Sequence, residues 1–158
     1  MSRRVAAYAV CLEGGRVLLA RYVSPYEDRT LWTLPGGGVE PCEDPFDTVT
    51  REVAEETGYE SVVERLLGVD SRVIPAALRR IPGDEDHQNI GIFYAVRITA
   101  GTIRPEPNGE TAESVWTPLD VVPTLRRSAL VDVGIALGVS SPPTGHVPQV
   151  EVGGLIEY

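Results

Sequence analysis

An α/β fold, with a mixed β-sheet held between helices, is what this sequence predicts. Three observations point there. Short apolar, β-branched runs alternate with helical patterns along a single stretch of chain. One helix, Pro45 to Thr57, carries start and stop signals at both ends. No internal repeat and no linker divides the 158 residues, a length that suits one core. The boundaries read as one domain over 1–138 and a Pro- and Gly-rich tail over 139–158, either flexible or packed on the domain or on a partner copy.

Val5 to Leu12 and Val17 to Ala20 flank "EGGR", and a Gly-Gly turn between apolar runs reads as a hairpin. A polar loop, "RYVSPYEDRT", leads to Leu31–Leu34 and three glycines. In the helix that follows, Asp44 is placed as N-cap, Pro45 occupies the first turn, and Gly58 is the stop. Val62–Val69 and Asn89–Ile98 read as strands, with "ALRRIPGDEDHQ" as loop between them. "SVWTPLDVV" is expected to end a strand at Trp116 and open a short helix, with Thr117 as cap and Pro118 at its first position. Thr124 is expected to cap a second helix, Leu125 to Leu137, closed by Gly138.

A net charge of −9 argues against unaided binding to nucleic acid or an anionic membrane, so an anionic ligand would need a cation. Cys11 and Cys42 form no metal-binding spacing, and so few cysteines fit a reducing compartment. Arg3 and Arg4 before an apolar run look superficially like a signal peptide. That run ends at Glu13 with no small-residue cleavage site, and no segment approaches the ~20 apolar residues of a membrane span, so a buried strand and a cytoplasmic location are expected.

At 100° per residue, Phe46, Val49 and Val53 share one stripe of the helix, and Glu52, Glu55 and Glu56 share the adjoining one. Like charges at i,i+3 and i,i+4 disfavour the helix by a few tenths of a kcal/mol per pair. Only Arg51 relieves them locally, and a solvated face is the ordinary reading of such a cluster. Gly36, Gly37 and Gly38 change the balance, because they let backbone approach a ligand closely and turn a carbonyl towards a cation. Hard carboxylate and carbonyl oxygens are what Mg²⁺ prefers, and its remaining positions suit water and phosphate oxygens.

Gly37, five residues, Glu43, seven residues, then "REVAEETGY" from Arg51 to Tyr59 resembles the Nudix box, GX5EX7REUXEEXGU, at every fixed position. The resemblance extends over roughly Arg3 to Leu137 and implies the α/β/α sandwich of that MutT-like family. Two positions depart from the common pattern: Cys42, where glycine is frequent, and the aromatic Tyr59. Neither removes a metal ligand.

The resemblance implies hydrolysis of a nucleoside diphosphate linked to another moiety, with Mg²⁺, or Mn²⁺ in its place. It implies that Gly37, Glu52, Glu55 and Glu56 form the metal site and that one glutamate takes the water's proton. Arg51 and Glu43 are expected to hold loop against helix, with Gly58 as structural support. In some members the base lies outside the box; Glu110 and Glu113 are the candidates here, Glu110 ahead because its loop is freer, with Glu40 also open. Arg21 and Arg29 are candidates to meet phosphates, and Trp32, Tyr22 and Tyr94 to stack a base, although core packing is an equal reading for Trp32 and Tyr94. His87 reads as a surface turn residue near the site, and Arg126 and Arg127 as solvent-facing. A small nucleotide derivative is the expected partner, and a homodimer is plausible on the resemblance.

The competing reading is a nucleotide sensor of the same fold, though such proteins often lose box glutamates or add a DNA-binding domain, and this chain does neither. Among substrates, (d)NTPs, ADP-ribose and nucleotide sugars stay open. Pro75, sixteen residues past Tyr59, is similar to a proline of ADP-ribose hydrolases, but the surrounding "VIPAALRR" matches poorly. Specificity is expected from the loops Tyr22–Thr30 and Pro75–Gln88.

Overall fold

Alternation along one strand explains the architecture. In β1 (Ser2–Val10), Ala6, Tyr8 and Val10 point into one apolar cluster, while Ala7 and Ala9 point with Cys11 into a second on the opposite face. Both faces are therefore covered, as a period of two in an all-apolar run requires. The structure is a computed structural model and describes residues 1–23, 30–79, 83–107, 109 and 111–158.

The strand β2 (Leu12–Glu13) turns back through Gly14 and Gly15 onto β3 (Arg16–Val23), which also pairs with β4 (Thr30–Thr33). The glycine strand β5 (Gly36–Gly38) lies antiparallel to β1. Helix α1 (Pro45–Thr57) follows, then β6 (Tyr59–Ile74), β7 (His87–Gly101) and β8 (Thr111–Pro118). The chain ends with β9 (Arg127–Ser128), α2 (Ala129–Ser140) and β10 (Ile156–Glu157). One mixed sheet runs β5-β1-β7-β6, with β1 and β7 parallel; the second runs β10-β9-β4-β3-β2, with β8 on β3. Val49 and Val53 of α1 close one core, and Val131, Val133 and Leu137 of α2 close the other, giving the α/β sandwich that the alternating pattern predicts. Each such fully buried side chain stabilises the fold by roughly 1.5–3 kcal/mol. Among the described residues, no helix is long and apolar enough to cross a membrane.

Helix α1 keeps its predicted limits: Asp44 accepts from the Phe46 N–H at 2.8 Å, and Gly58, at φ 80°, donates its N–H to the Ala54 carbonyl. Phe46 does not dock with Val49 and Val53; it stays half exposed, edge-on to Tyr94. The stretch after Trp116 differs from expectation. No helix opens at Thr117, because β8 continues through Pro118, opposite Arg16, and Leu119 then donates to the Gly15 carbonyl. Only a single helical turn forms, at Val122–Thr124. The second helix starts four residues later than expected, capped by Ser128 rather than Thr124, and runs through Gly138. Gly138 packs where a Cβ would press on Leu12, so this glycine serves close contact and not termination.

Arg127 corrects its solvent-facing expectation. It is buried, its Nε and Nη2 donating to both carboxylate oxygens of Asp132 at 2.8 and 2.9 Å and its Nη1 to two backbone carbonyls. The tail lies against the domain: Val147 joins the core, the Gly145 carbonyl accepts from the Val69 N–H, and β10 pairs with β9.

Candidate active site

The acidic stripe of α1 faces the glycine strand, and Arg51 organises it. Its Nε and Nη2 donate to the two carboxylate oxygens of Glu43 at 2.8 and 2.9 Å, a bidentate pair that ties the loop before α1 to the helix. Glu43 also accepts from the Thr48 hydroxyl and the Glu40 N–H, and these contacts, Arg51 foremost, hold its pKa down to about 2. The remaining nitrogen of Arg51, Nη1, donates to Glu52 at 3.0 Å and to Glu55 at 3.2 Å.

The three glutamates then diverge. Glu55 is half exposed and turned to Arg51. Glu52 and Glu56 look into a cavity of about 620 Å³ that is also lined by Gly36, Gly37 and Arg4. Glu56 is partly buried; one oxygen accepts from the Gly36 N–H at 2.9 Å and the other from the Thr111 hydroxyl at 3.3 Å. Burial, with Glu52 and Glu106 adding repulsion against those hydrogen bonds, pushes its pKa up to about 8. Burial also raises Glu52, with Arg51 opposing. Two acids desolvated side by side are a place where a cation is wanted.

Gly37 sits so close to Glu52 that a Cβ there would push the carboxylate out of its present position, so the bare backbone lets Glu52 lie against the glycine strand. No three His, Cys, Asp or Glu side chains among the described residues converge as they stand to share an ion. The donors that do face one another, two carboxylates beside a glycine strand, are hard oxygens of the kind Mg²⁺ takes, and the cradle at Gly37 fits it.

Several sequence candidates fall elsewhere. Arg21 pairs with Glu113 at 2.9 Å, and Trp32 packs on the core; neither lines the cavity. Their neighbours Tyr22, Leu31 and Thr33 do, because consecutive residues of a strand face opposite sides. Glu40 is exposed on the loop before α1. His87 opens β7 within hydrogen-bond distance of the Ser2 hydroxyl, 2.8 Å, and lines the cavity; burial, then Arg79 and Arg4, lowers its pKa. Trp116 donates to the Tyr59 hydroxyl under Arg16. Glu110 and Arg29 lie outside the described residues. Sequence reasoning missed Arg4, Arg72 and Glu106, all on the cavity wall. Arg4 was masked by its place in a terminal basic pair, and Glu106 by a loop with no motif.

Residues 1–133 match the family model described as NUDIX domain. The chain belongs to the Nudix family. It is therefore a hydrolase of phosphoric anhydride bonds. A putative 8-oxo-dGTP diphosphatase of Bacillus subtilis is 32% identical over 127 residues, spanning 77% of this chain and 74% of that protein. Diphosphoinositol polyphosphate phosphohydrolase 3-alpha of Mus musculus is 52% identical, but over 46 residues only, 29% of this chain and 27% of that protein. Among solved structures, the MutT Nudix hydrolase of Burkholderia pseudomallei superposes with a TM-score of 0.60 at 28% identity, over 76% of this chain and 86% of its own.

Proposed function

We propose that this Nudix hydrolase is a Mg²⁺-dependent pyrophosphohydrolase of nucleoside triphosphates or related nucleoside diphosphate derivatives. The observation that carries the reading is the pair Glu52 and Glu56 on one cavity wall, beside Gly37 and Arg4. The long match to the Bacillus protein supports the nucleotide branch over the inositol one, whose similarity covers under a third of the chain.

Glu52, Glu56 and the Gly37 carbonyl would hold the cation, with Glu55 able to join from its exposed pair with Arg51. Bound there, Mg²⁺ or Mn²⁺ supplies charge neutralisation of the anhydride oxygens. Arg4 binds phosphate oxygens at the mouth of the acidic end. Water attacks one phosphorus, the anhydride P–O bond breaks, and the departing phosphate keeps that oxygen. Glu106, on the wall beside Glu56 and hydrogen-bonded to the Thr111 N–H at 3.1 Å, is placed to take the water's proton. Arg51 and Glu43 act through position, fixing where Glu52 points.

The test is incubation of the purified protein with NTPs, dNTPs, ADP-ribose, nucleotide sugars and dinucleoside polyphosphates, with and without Mg²⁺, products resolved by chromatography. Metal-dependent release of a nucleoside monophosphate is expected. Absence of cleavage alongside tight nucleotide binding would replace this reading with a sensor.

A further inference from the structure

One row of side chains crosses the cavity floor, leading away from the carboxylates. Arg4 on β1, Asn89 on β7 and Arg72 on β6 are cross-strand partners in register, so they share a face. The order β5-β1-β7-β6 places the glycine strand and its acidic helix at one edge and Arg72 at the other, roughly 14 Å away at three inter-strand spacings. Arg4 lies beside Gly38, next to the acidic end. A ligand with its phosphates at Arg4 and the carboxylates therefore lays its other end on Arg72.

Arg72 is 7% exposed, yet among the described residues its Nε and Nη2 have no hydrogen-bond partner. Buried N–H groups are rarely left unmet, because the loss of hydration goes uncompensated. These two nitrogens form one edge of the guanidinium, a fork that suits two adjacent acceptors. Asp70, two residues earlier on the same face and buried, stands 3.7 Å from Nε, too far to hydrogen bond but close enough to offset the charge. A second phosphate would meet that carboxylate. A neutral ring with paired acceptors would not.

We propose that Arg72, supported by Asn89 and Asp70, is the specificity-determining residue that reads the substrate's base, favouring bases whose edge carries two adjacent acceptors, such as guanine N7/O6 or cytosine N3/O2. This rests on the nucleotide reading above. Adenine and uracil alternate donor and acceptor along their edges and leave one nitrogen of the fork unmet. Ile74 and Leu78, also on the wall, give the base an apolar flank.

Binding of GMP, CMP, AMP and UMP, measured by calorimetry on the wild type and on Arg72→Gln, tests this without turnover. The wild type should bind GMP or CMP about 5- to 150-fold tighter than AMP and UMP, the range of one bidentate base contact. Arg72→Gln should flatten that preference and leave inorganic pyrophosphate affinity unchanged. Should that variant fail to fold, judged by its thermal melt, Asn89→Ala carries the same expectation in weaker form. A wild type indifferent to base, a preference that survives substitution, or a uniform loss that includes pyrophosphate would overturn the proposal. Failure of the cleavage panel leaves this binding preference standing, so the two readings fail separately.

Discussion

Replacing Glu56 by Gln should make the cation-free protein more stable, and increasingly so as pH rises. Glu56 is held at about 8 against an ordinary 4.5, chiefly by burial. Below pH 4.5 the group is protonated in both folded and unfolded chains and favours neither. Between 4.5 and 8 the unfolded chain releases a proton that the folded chain retains, so stability falls with rising pH and levels off above 8. At 1.36 kcal/mol per pH unit, the loss is at most roughly 3 kcal/mol at pH 7 and close to 5 at pH 8. A carboxamide can accept from the Gly36 N–H as the carboxyl does, but it does not titrate. The melting-temperature advantage of Glu56→Gln over the wild type should therefore widen by roughly 6 to 15 °C from pH 5 to pH 8. Thermal unfolding followed by circular dichroism in chelator at pH 5, 6, 7 and 8 measures it. Saturating Mg²⁺ at pH 7 should raise the wild-type transition and leave the variant where it was. A gap that does not change with pH would show that Glu56 ionises normally in the folded protein.

Two further substitutions probe the loop. Gly37→Ala forces the Glu52 carboxylate aside, so kcat/KM should fall on the order of 10²-fold while the melt moves by only a few degrees, as a misplaced site on an intact scaffold predicts; unchanged kinetics would remove Gly37 from the site. Cys42 holds a left-handed φ of 67° on an exposed loop, where glycine is free of strain, so Cys42→Gly should stabilise the fold by about 1 kcal/mol, read as a higher denaturant midpoint.

How much could be read in advance followed the range of the interactions. The limits of α1 depend on Asp44, Pro45 and Gly58, all local, and they fall where the sequence puts them. The helix expected at Thr117 rested on equally local signals, yet pairing of β8 with β3, a partner about 100 residues away in sequence, overrode them. Gly138 reads as a stop until Leu12 is seen against it. Arg127 looks like half of a surface basic pair because Asp132, its buried partner, shows no pattern that marks it. The acidic half of the cavity was legible because one short segment supplies it. The row Arg4, Asn89, Arg72 was not, because it exists only through the register of three strands far apart in the chain.

The question that the acidic stripe poses is how three glutamates tolerate one another on a single helix face. Arg51 divides them. Its fork is committed to Glu43, buried enough and short enough to act as a fixed clamp, and only Nη1 is left for the helix. Glu55 shares that nitrogen in an exposed i,i+4 pair, an interaction of about 0.3–0.5 kcal/mol, so a divalent cation can draw it away at little cost. Glu52 is turned inward by the same nitrogen and by the bare backbone of Gly37, and Glu56 by Gly36 and Thr111. The helix thus carries one loosely held carboxylate and two that are held and partly buried, Glu52 sharing the single nitrogen of Arg51 and Glu56 held by neutral donors. The clamp sets direction, burial sets the demand for a cation, and the glycines leave the space in which one would sit.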